Sequence, residues 1–197
     1  MKTLNLMDTM AEPDVNKRVA IIGAGLIGCS WAALFLKHGW DVRIWDHNPD
    51  IYETVSAKVM RALEDLDNLH ETQIETGSFA LCEDLDIAIS DVLYVQENVS
   101  EHLNVKHALF TELDKRVAPT VPIASSTTAY TWSDLFSGCL HKDRFRIAHP
   151  FNPPHLVPLV ELYCHCDPIL AQATEIYEGL GRVVISLKKE VPGHIAN

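Results

Sequence analysis

Residues 17–46 read KRVAIIGAGLIGCSWAALFLKHGWDVRIWD, and the order of apolar run, glycines and second apolar run decides the fold. Val19 to Ile22 is a short apolar run that ends in Gly23-Ala24-Gly25-Leu26-Ile27-Gly28, after which Cys29 to Lys37 carries no helix breaker. The pattern predicts strand, glycine turn and helix. A second apolar run, Val42 to Trp45, follows Gly39 and closes on Asp46, eighteen residues past Gly28. That is where a βαβ unit presents its acidic residue to a nucleotide ribose.

Each position has a physical reason. Gly23 permits the tight turn out of the strand, Gly25 lets a pyrophosphate approach bare backbone, and Gly28 lets the helix pack closely on the sheet. Leu26 and Ile27 lie in the same turn, where a helix N-terminus meets the phosphates with free N–H groups and its positive dipole end. Asp46 should accept hydrogen bonds from the adenosine ribose hydroxyls and repel a 2′-phosphate, and no arginine follows it. NAD is therefore expected over NADP. A flavin dinucleotide shares the fingerprint and would make the protein yellow.

The 197 residues, 47% of them hydrophobic, suffice for a full core in one large domain. A formal net charge of −11 argues against nucleic acid or an anionic membrane surface as partner, since either requires a basic face. The longest apolar runs are strand-length, so no membrane span is expected. Residues 1–16 hold neither an apolar signal core nor an Arg-rich pattern and read as a loose leader. The five cysteines are an odd number scattered through the chain, which suggests reduced thiols in the cytoplasm. Cys164-His165-Cys166 with His149 and His155 resembles a zinc set only superficially. A CxC pair alternates sides on a strand and no second pair has ligand spacing, so no metal is expected.

Further along, Ile51, Val55, Val59, Ala62, Leu63 and Leu66 recur at helical spacing within 49–67, a stretch whose only cations are Lys58 and Arg61. Strands are predicted over 79–82, 92–95, 144–148, 159–163 and 183–187, and helices over 103–117 and 169–180, with a short one at Trp132 to Phe136. Ser125-Ser126-Thr127-Thr128 places small hydroxyls at a strand's C-terminal end, where ligands sit in open α/β sheets. The alternation implies one doubly wound, mostly parallel α/β sheet of Rossmann type over 17–187, with 188–197 leaving the domain.

His149 falls at a strand end and Glu161 twelve residues later on the next strand, so a hairpin-like return would join imidazole to carboxylate. On spacing alone, an exposed loop histidine near a surface glutamate is the favoured reading. The stretch IAHPFNPPHLVPLVEL, with the glycine turn, VQENVSEHLNVK and VPGHIAN, resembles the 3-hydroxyacyl-CoA dehydrogenase superfamily. Within it the form is most similar to the λ-crystallin/L-gulonate 3-dehydrogenase branch, with L-carnitine dehydrogenase a close relative.

The resemblance implies an NAD-dependent oxidation of a 3-hydroxy group to a 3-keto group. It makes His149 the base, Glu161 its charge-balancing partner, and Asn197 a substrate contact at the start of a helical domain. Asn152 falls beside the nicotinamide, and Glu101 and Lys106 fall where the family contacts the cofactor. The family's serine falls on Thr128, which keeps the hydroxyl and adds a methyl. A small hydroxy acid, gulonate-like or carnitine-like, is expected over an acyl-CoA because 49–67 offers so few cations. A non-catalytic, crystallin-like NAD-binding protein is the reading from another class. The family runs on into an all-helical domain that closes the cleft and makes a homodimer. Residues 188–197 read as its start, and the chain ending at Asn197 is expected to be inactive alone.

Overall fold

A computed structural model describes residues 17–69 and 76–195, so the leader at 1–16 and Asn197 lie outside the described residues. The apolar run before the glycine turn forms β1 (Arg18–Ile22), and α1 (Leu26–Lys37) follows it. The helix starts ahead of Cys29 because Gly25 stays extended as its N-cap and Gly28 lies in its first turn. Next come β2 (Asp41–Trp45) and α2 (Tyr52–Leu69). A 3-10 turn at Pro49–Ile51 leads into α2, with the Asn48 side chain accepting from the Asp50 amide.

The next two elements are β3 (Phe79–Leu81) and α3 (Leu85–Ile89). The short helix escapes a periodicity reading because five residues make barely more than one turn. Strand β4 is Tyr94–Glu97, two residues later than its apolar run suggests. Asp91 turns the chain at a φ of 52°, and β4 then pairs with β1 up to Ile22 opposite Glu97. A charged residue thus ends up inside the sheet. The remaining elements are α4 (Leu103–Arg116), β5 (Ile123–Ser125), α5 (Trp132–Phe136), β6 (Phe145–Pro150), β7 (Leu159–Tyr163), α6 (Asp167–Gly179) and β8 (Val183–Ser186).

The eight strands form one sheet in the order β3-β2-β1-β4-β5-β6-β7-β8. Every neighbouring pair is parallel except β6 and β7, which run antiparallel and set His149 opposite Glu161. Helices cover both faces. Trp31, Leu34, Phe35, Val55, Val59 and Tyr177 from α1, α2 and α6 pack on one side, and Phe110, Leu113, Leu135 and Phe136 from α4 and α5 on the other. Strands buried on both faces are the reason the central runs are continuously apolar. The strand order reverses between β1 and β4, and at such a switch point the chain connections diverge and leave a cleft at the strands' C-terminal ends.

Two glycines hold that cleft in shape. Gly23, at a φ of +93°, lies so close to β4's exit that a Cβ would come within 2.7 Å of the Asn98 carbonyl carbon. A Cβ on Gly28 would lie 1.9 Å from the Gly23 carbonyl oxygen, so α1 sits on the end of β1 with no room between them. Gly28→Ala should therefore destabilise the domain by about 3 kcal/mol or more, the upper range for overpacking. Urea unfolding should show the midpoint falling with an unchanged slope.

Candidate active site

The glycine turn presents its backbone to the cleft. A Cβ on Gly25 would meet nothing within 4 Å, so the space above it is open to a phosphate. No acidic side chain sits in the first turn of α1 to compete for its free amides. Asp46, at the end of β2, accepts from the Ala24 amide at 2.8 Å and from the Asn48 amide at 2.9 Å. The carboxylate therefore braces the turn as well as facing the expected ribose position, and its unused lone pairs remain for a ligand. Tyr52 supports it from α2, accepting from the Asp46 amide at 3.1 Å and donating to the Cys82 carbonyl at 2.6 Å. Open backbone, a clean helix N-terminus and a fixed acid fit NAD.

Beyond β4, three charges interlock. Lys106, nearly fully buried, lies 2.7 Å from Glu97 Oε1 and 3.2 Å from Glu101 Oε2. Glu97 also accepts from the Val99 amide at 2.7 Å and from Ser125 Oγ at 2.5 Å. Glu101 accepts from the Thr127 hydroxyl and from the Thr128 and Ala129 amides at 2.9 and 3.0 Å. Burial pushes the Glu101 carboxyl up, but these hydrogen bonds and the Lys106 charge outweigh it and leave it below the ordinary glutamate value. Glu101 and Lys106 thus join the exit of β4 to the exit of β5. Glu97 was not among the expected site residues. Its signal lay in the pairing with Lys106, nine positions on, which hydrophobic patterning ignores.

At the exits of β5 and β6 a cavity of about 350 Å³ is lined by Ile27, Ser126, Thr128, His149, Phe151 and Asn152, among others. His149 Nδ1 lies 2.9 Å from Glu161 Oε2 across the strand pair, and both side chains are buried. A carboxylate only accepts, so the ring proton sits on Nδ1 and the Nε2 lone pair serves the cavity.

Three neighbouring hydroxyls are spoken for: Ser125 donates to Glu97, Thr127 to Glu101, and Ser126 to Asn98 Oδ1 at 2.8 Å. Ser126 also accepts from Trp31 Nε1 and Gln96 Nε2, and Gln96 in turn accepts from Tyr177, which accepts from Tyr94. Thr128 lines the same cavity as His149.

Two features were not foreseen. Residues 188–195 contain no helix, and their end folds back on the site, where the His194 ring lies flat on His149 with centroids 4.5 Å apart. The Ile195 amide donates to Glu161 Oε1 at 3.0 Å. A second cavity of about 410 Å³ adjoins the first through Asn152 and is lined by Lys58, Arg61, Asp65 and His155 among others. His155 links Ser30, at 2.9 Å, to Asp65, at 3.4 Å. The two cations of α2 thus gather at one wall. Cys29 also lines this cavity, with its thiol pushed up to about 11 by burial and so protonated at neutral pH. No disulfide joins any of the five cysteines, and among the described residues no group of three His, Cys, Asp or Glu side chains could hold a metal ion. No helix among them is long and apolar enough to cross a membrane.

Comparison with known proteins gives a consistent result. The family described as 3-hydroxyacyl-CoA dehydrogenase, NAD binding domain, matches residues 18–191. An L-carnitine dehydrogenase of Streptomyces coelicolor is 38% identical over 192 residues, which is 95% of this chain and 60% of that protein. A λ-crystallin homologue of Bos taurus is 35% identical over 188 residues, covering 91% of this chain and 59% of it. Among solved structures, 5-formyl-3-hydroxy-2-methylpyridine 4-carboxylic acid 5-dehydrogenase, described as an NAD+-dependent dismutase, superposes with a TM-score of 0.83 at 26% identity. That match covers 91% of this chain and 60% of the other. The chain spans about three fifths of the length of these relatives.

The buried charges give a direct test of the geometry. Lys106→Met leaves Glu97 without its cation inside the sheet and should cost about 3–5 kcal/mol, the usual penalty for breaking a buried pair. Chemical denaturation should register the loss, and Glu97→Gln in the same chain should recover part of it.

Proposed function

Because the chain belongs to the 3-hydroxyacyl-CoA dehydrogenase family through its NAD-binding domain, we propose that the protein oxidises a 3-hydroxy group to a 3-keto group, with His149 as base. The observation that carries this reading is the buried His149–Glu161 pair, 2.9 Å apart at the wall of a cavity that also holds Thr128 and Asn152. Bound NAD would supply the hydride acceptor, held by the glycine turn, Leu26, Ile27 and Asp46, with Glu101, Lys106 and Asn152 on the nicotinamide side.

As the carbinol C–H bond breaks, the hydroxyl proton passes to His149 Nε2 and the oxygen gains carbonyl character. Glu161, already bonded at Nδ1, balances the imidazolium that forms. Thr128 steadies the reacting oxygen through its hydroxyl. Asn197 takes the same task on the resemblance alone, since it lies outside the described residues. The added methyl of Thr128 narrows the space around that oxygen.

A small hydroxy acid, gulonate-like or carnitine-like, is the proposed substrate. Its support is the wall where Lys58 and Arg61 offer positive charge near Asn152, suited to a carboxylate. The size of that adjoining cavity favours a second reading, an acyl-CoA whose chain extends through it. A cytoplasmic homodimer belongs to the same proposal, and sedimentation and cell fractionation would check it. Turnover with NAD on L-gulonate, L-carnitine and 3-hydroxybutyryl-CoA separates the substrates, and absence of turnover on all three would leave the crystallin-like reading.

Two outcomes are expected of the site itself. NAD should bind at least about tenfold more tightly than NADP by calorimetry, since the 2′-phosphate meets the Asp46 charge and loses a ribose hydrogen bond. Asp46→Ala should narrow that gap, and equal affinities in the wild type would remove Asp46 from cofactor selection. His149→Ala should lower turnover by roughly two to four orders of magnitude while leaving NAD affinity nearly unchanged. Glu161→Gln should cost less, because the base survives and loses only its charge partner.

A further inference from the structure

His194 has no part in the proton transfer just described, yet it is the aromatic neighbour most nearly coplanar with the base. The planes of His149 and His194 are inclined by only 25° at a centroid distance of 4.5 Å. Phe151, the other ring beside His149, is tilted by 46° at 5.7 Å. The backbone goes to unusual lengths to make the stack. Gly193 and His194 both take left-handed conformations, with φ of 71° and 60°, the second being a region that a histidine rarely occupies. Such a conformation persists only where surrounding contacts over-determine it.

Those contacts are visible. The His194 amide donates to the Val191 carbonyl at 3.0 Å, and Gly193 donates to Ala129 at 3.3 Å. His194 Nε2 lies 2.9 Å from the Thr127 carbonyl oxygen, and the ring is buried. A carbonyl only accepts, so Nε2 carries the proton. One residue on, the Ile195 amide holds Glu161 Oε1, leaving Oε2 for His149.

We infer that His194 is a positioning residue for the base. Its ring closes the face of His149 while the next amide pins Glu161, so that the His149 imidazole keeps one orientation and one tautomer, with Nδ1–H on the carboxylate and Nε2 toward the cavity. The inference rests on the reading of His149 as base, and it adds a reason for that base to be pre-set before substrate arrives. Turning the His149 ring edge-on would drive it into the stacked partner.

The electrostatics agree with the geometry. The groups that face His194 are His149 on β6, Glu161 on β7, Glu101 ahead of α4 and the Thr127 carbonyl. Burial pushes the ring below the ordinary histidine value and the His149 charge adds to this, while the Thr127 carbonyl and the two glutamates pull the other way. The net direction keeps His194 neutral. A neutral ring offers its π face to the imidazolium that forms on His149, whereas a charged one would oppose it.

Histidine-ring NMR on the 197-residue chain tests this without needing turnover, so its outcome is separable from that of the proposed function. In the wild type, neutral His149 should be the Nδ1–H tautomer and neutral His194 the Nε2–H tautomer. His194→Ala should shift the His149 tautomer ratio by about three- to tenfold toward Nε2–H, the equilibrium equivalent of one aromatic contact. His194→Phe should restore the wild-type ratio, and it keeps the test open if the alanine variant does not fold. His149→Gln should raise the His194 midpoint, because the like charge above it is gone. A His149 tautomer that is mixed in the wild type or indifferent to His194→Ala would overturn the proposal. So would a His194 midpoint that ignores His149→Gln.

Discussion

The carbonyl oxygen of Gly23 occupies the place where any side chain on Gly28 would begin, and the geometry of the cleft descends from that contact. It seats α1 directly on the end of β1, which aims the helix's free amides across the gap where β1 and β4 part. On the other side of the same turn, Gly23 rests against the exit of β4 with no room for a Cβ. Asp46 then ties the turn to β2 through the Ala24 amide. Three strand ends are thus locked to one another, two by backbone contacts that tolerate no side chain and the third by the Asp46 carboxylate, before any ligand is considered.

The charged half of the cleft is built on a different rule, that an ion inside a protein must find its opposite. Lys106 reaches two glutamates, and each glutamate also collects amides or hydroxyls from the loops that leave β4 and β5. Buried pairs of this kind contribute little net stability compared with apolar packing of the same volume, so specificity is the better account of their presence here. They fix the relative position of two loops that otherwise rest on the core through Val99 and Tyr130. His149 and Glu161 follow the same rule across the antiparallel strand pair.

Legibility followed the physics of each element. The glycine turn and the apolar strands carry their signal locally, in residue type and spacing, and the structure forms them there, with β4 two residues late. The reversal that brings Glu161 to His149 was also visible, because the two lie in adjacent strands twelve residues apart. Glu97 was not, since a charged residue following an apolar run looks like the end of a strand, and its burial depends on a lysine on the next helix. His194 was further out of reach. Its partners are Thr127 and His149, brought close only by the fold, and the segment that carries it has no periodicity to read. The start of α2 shows the milder version: Tyr52 belongs to the helical face by spacing, but its hydroxyl serves Asp46 and Cys82.

One chain of donors described above runs from the interior along β4 to the cleft: Tyr94 to Tyr177, Tyr177 to Gln96, Gln96 to Ser126, Ser126 to Asn98. Every link has a forced sense, because the Asn98 amide nitrogen is itself committed to the Gln96 carbonyl and so cannot swap places with its oxygen. The series therefore behaves like a row of one-way valves. A tyrosine packed beneath two helices, with an arginine poised 5.6 Å over its ring, dictates which atom a serine at the cleft wall turns outward. Polarity at the surface of the cavity is in this way an inheritance from the interior, and a single hydroxyl deleted in the core would be felt at its mouth.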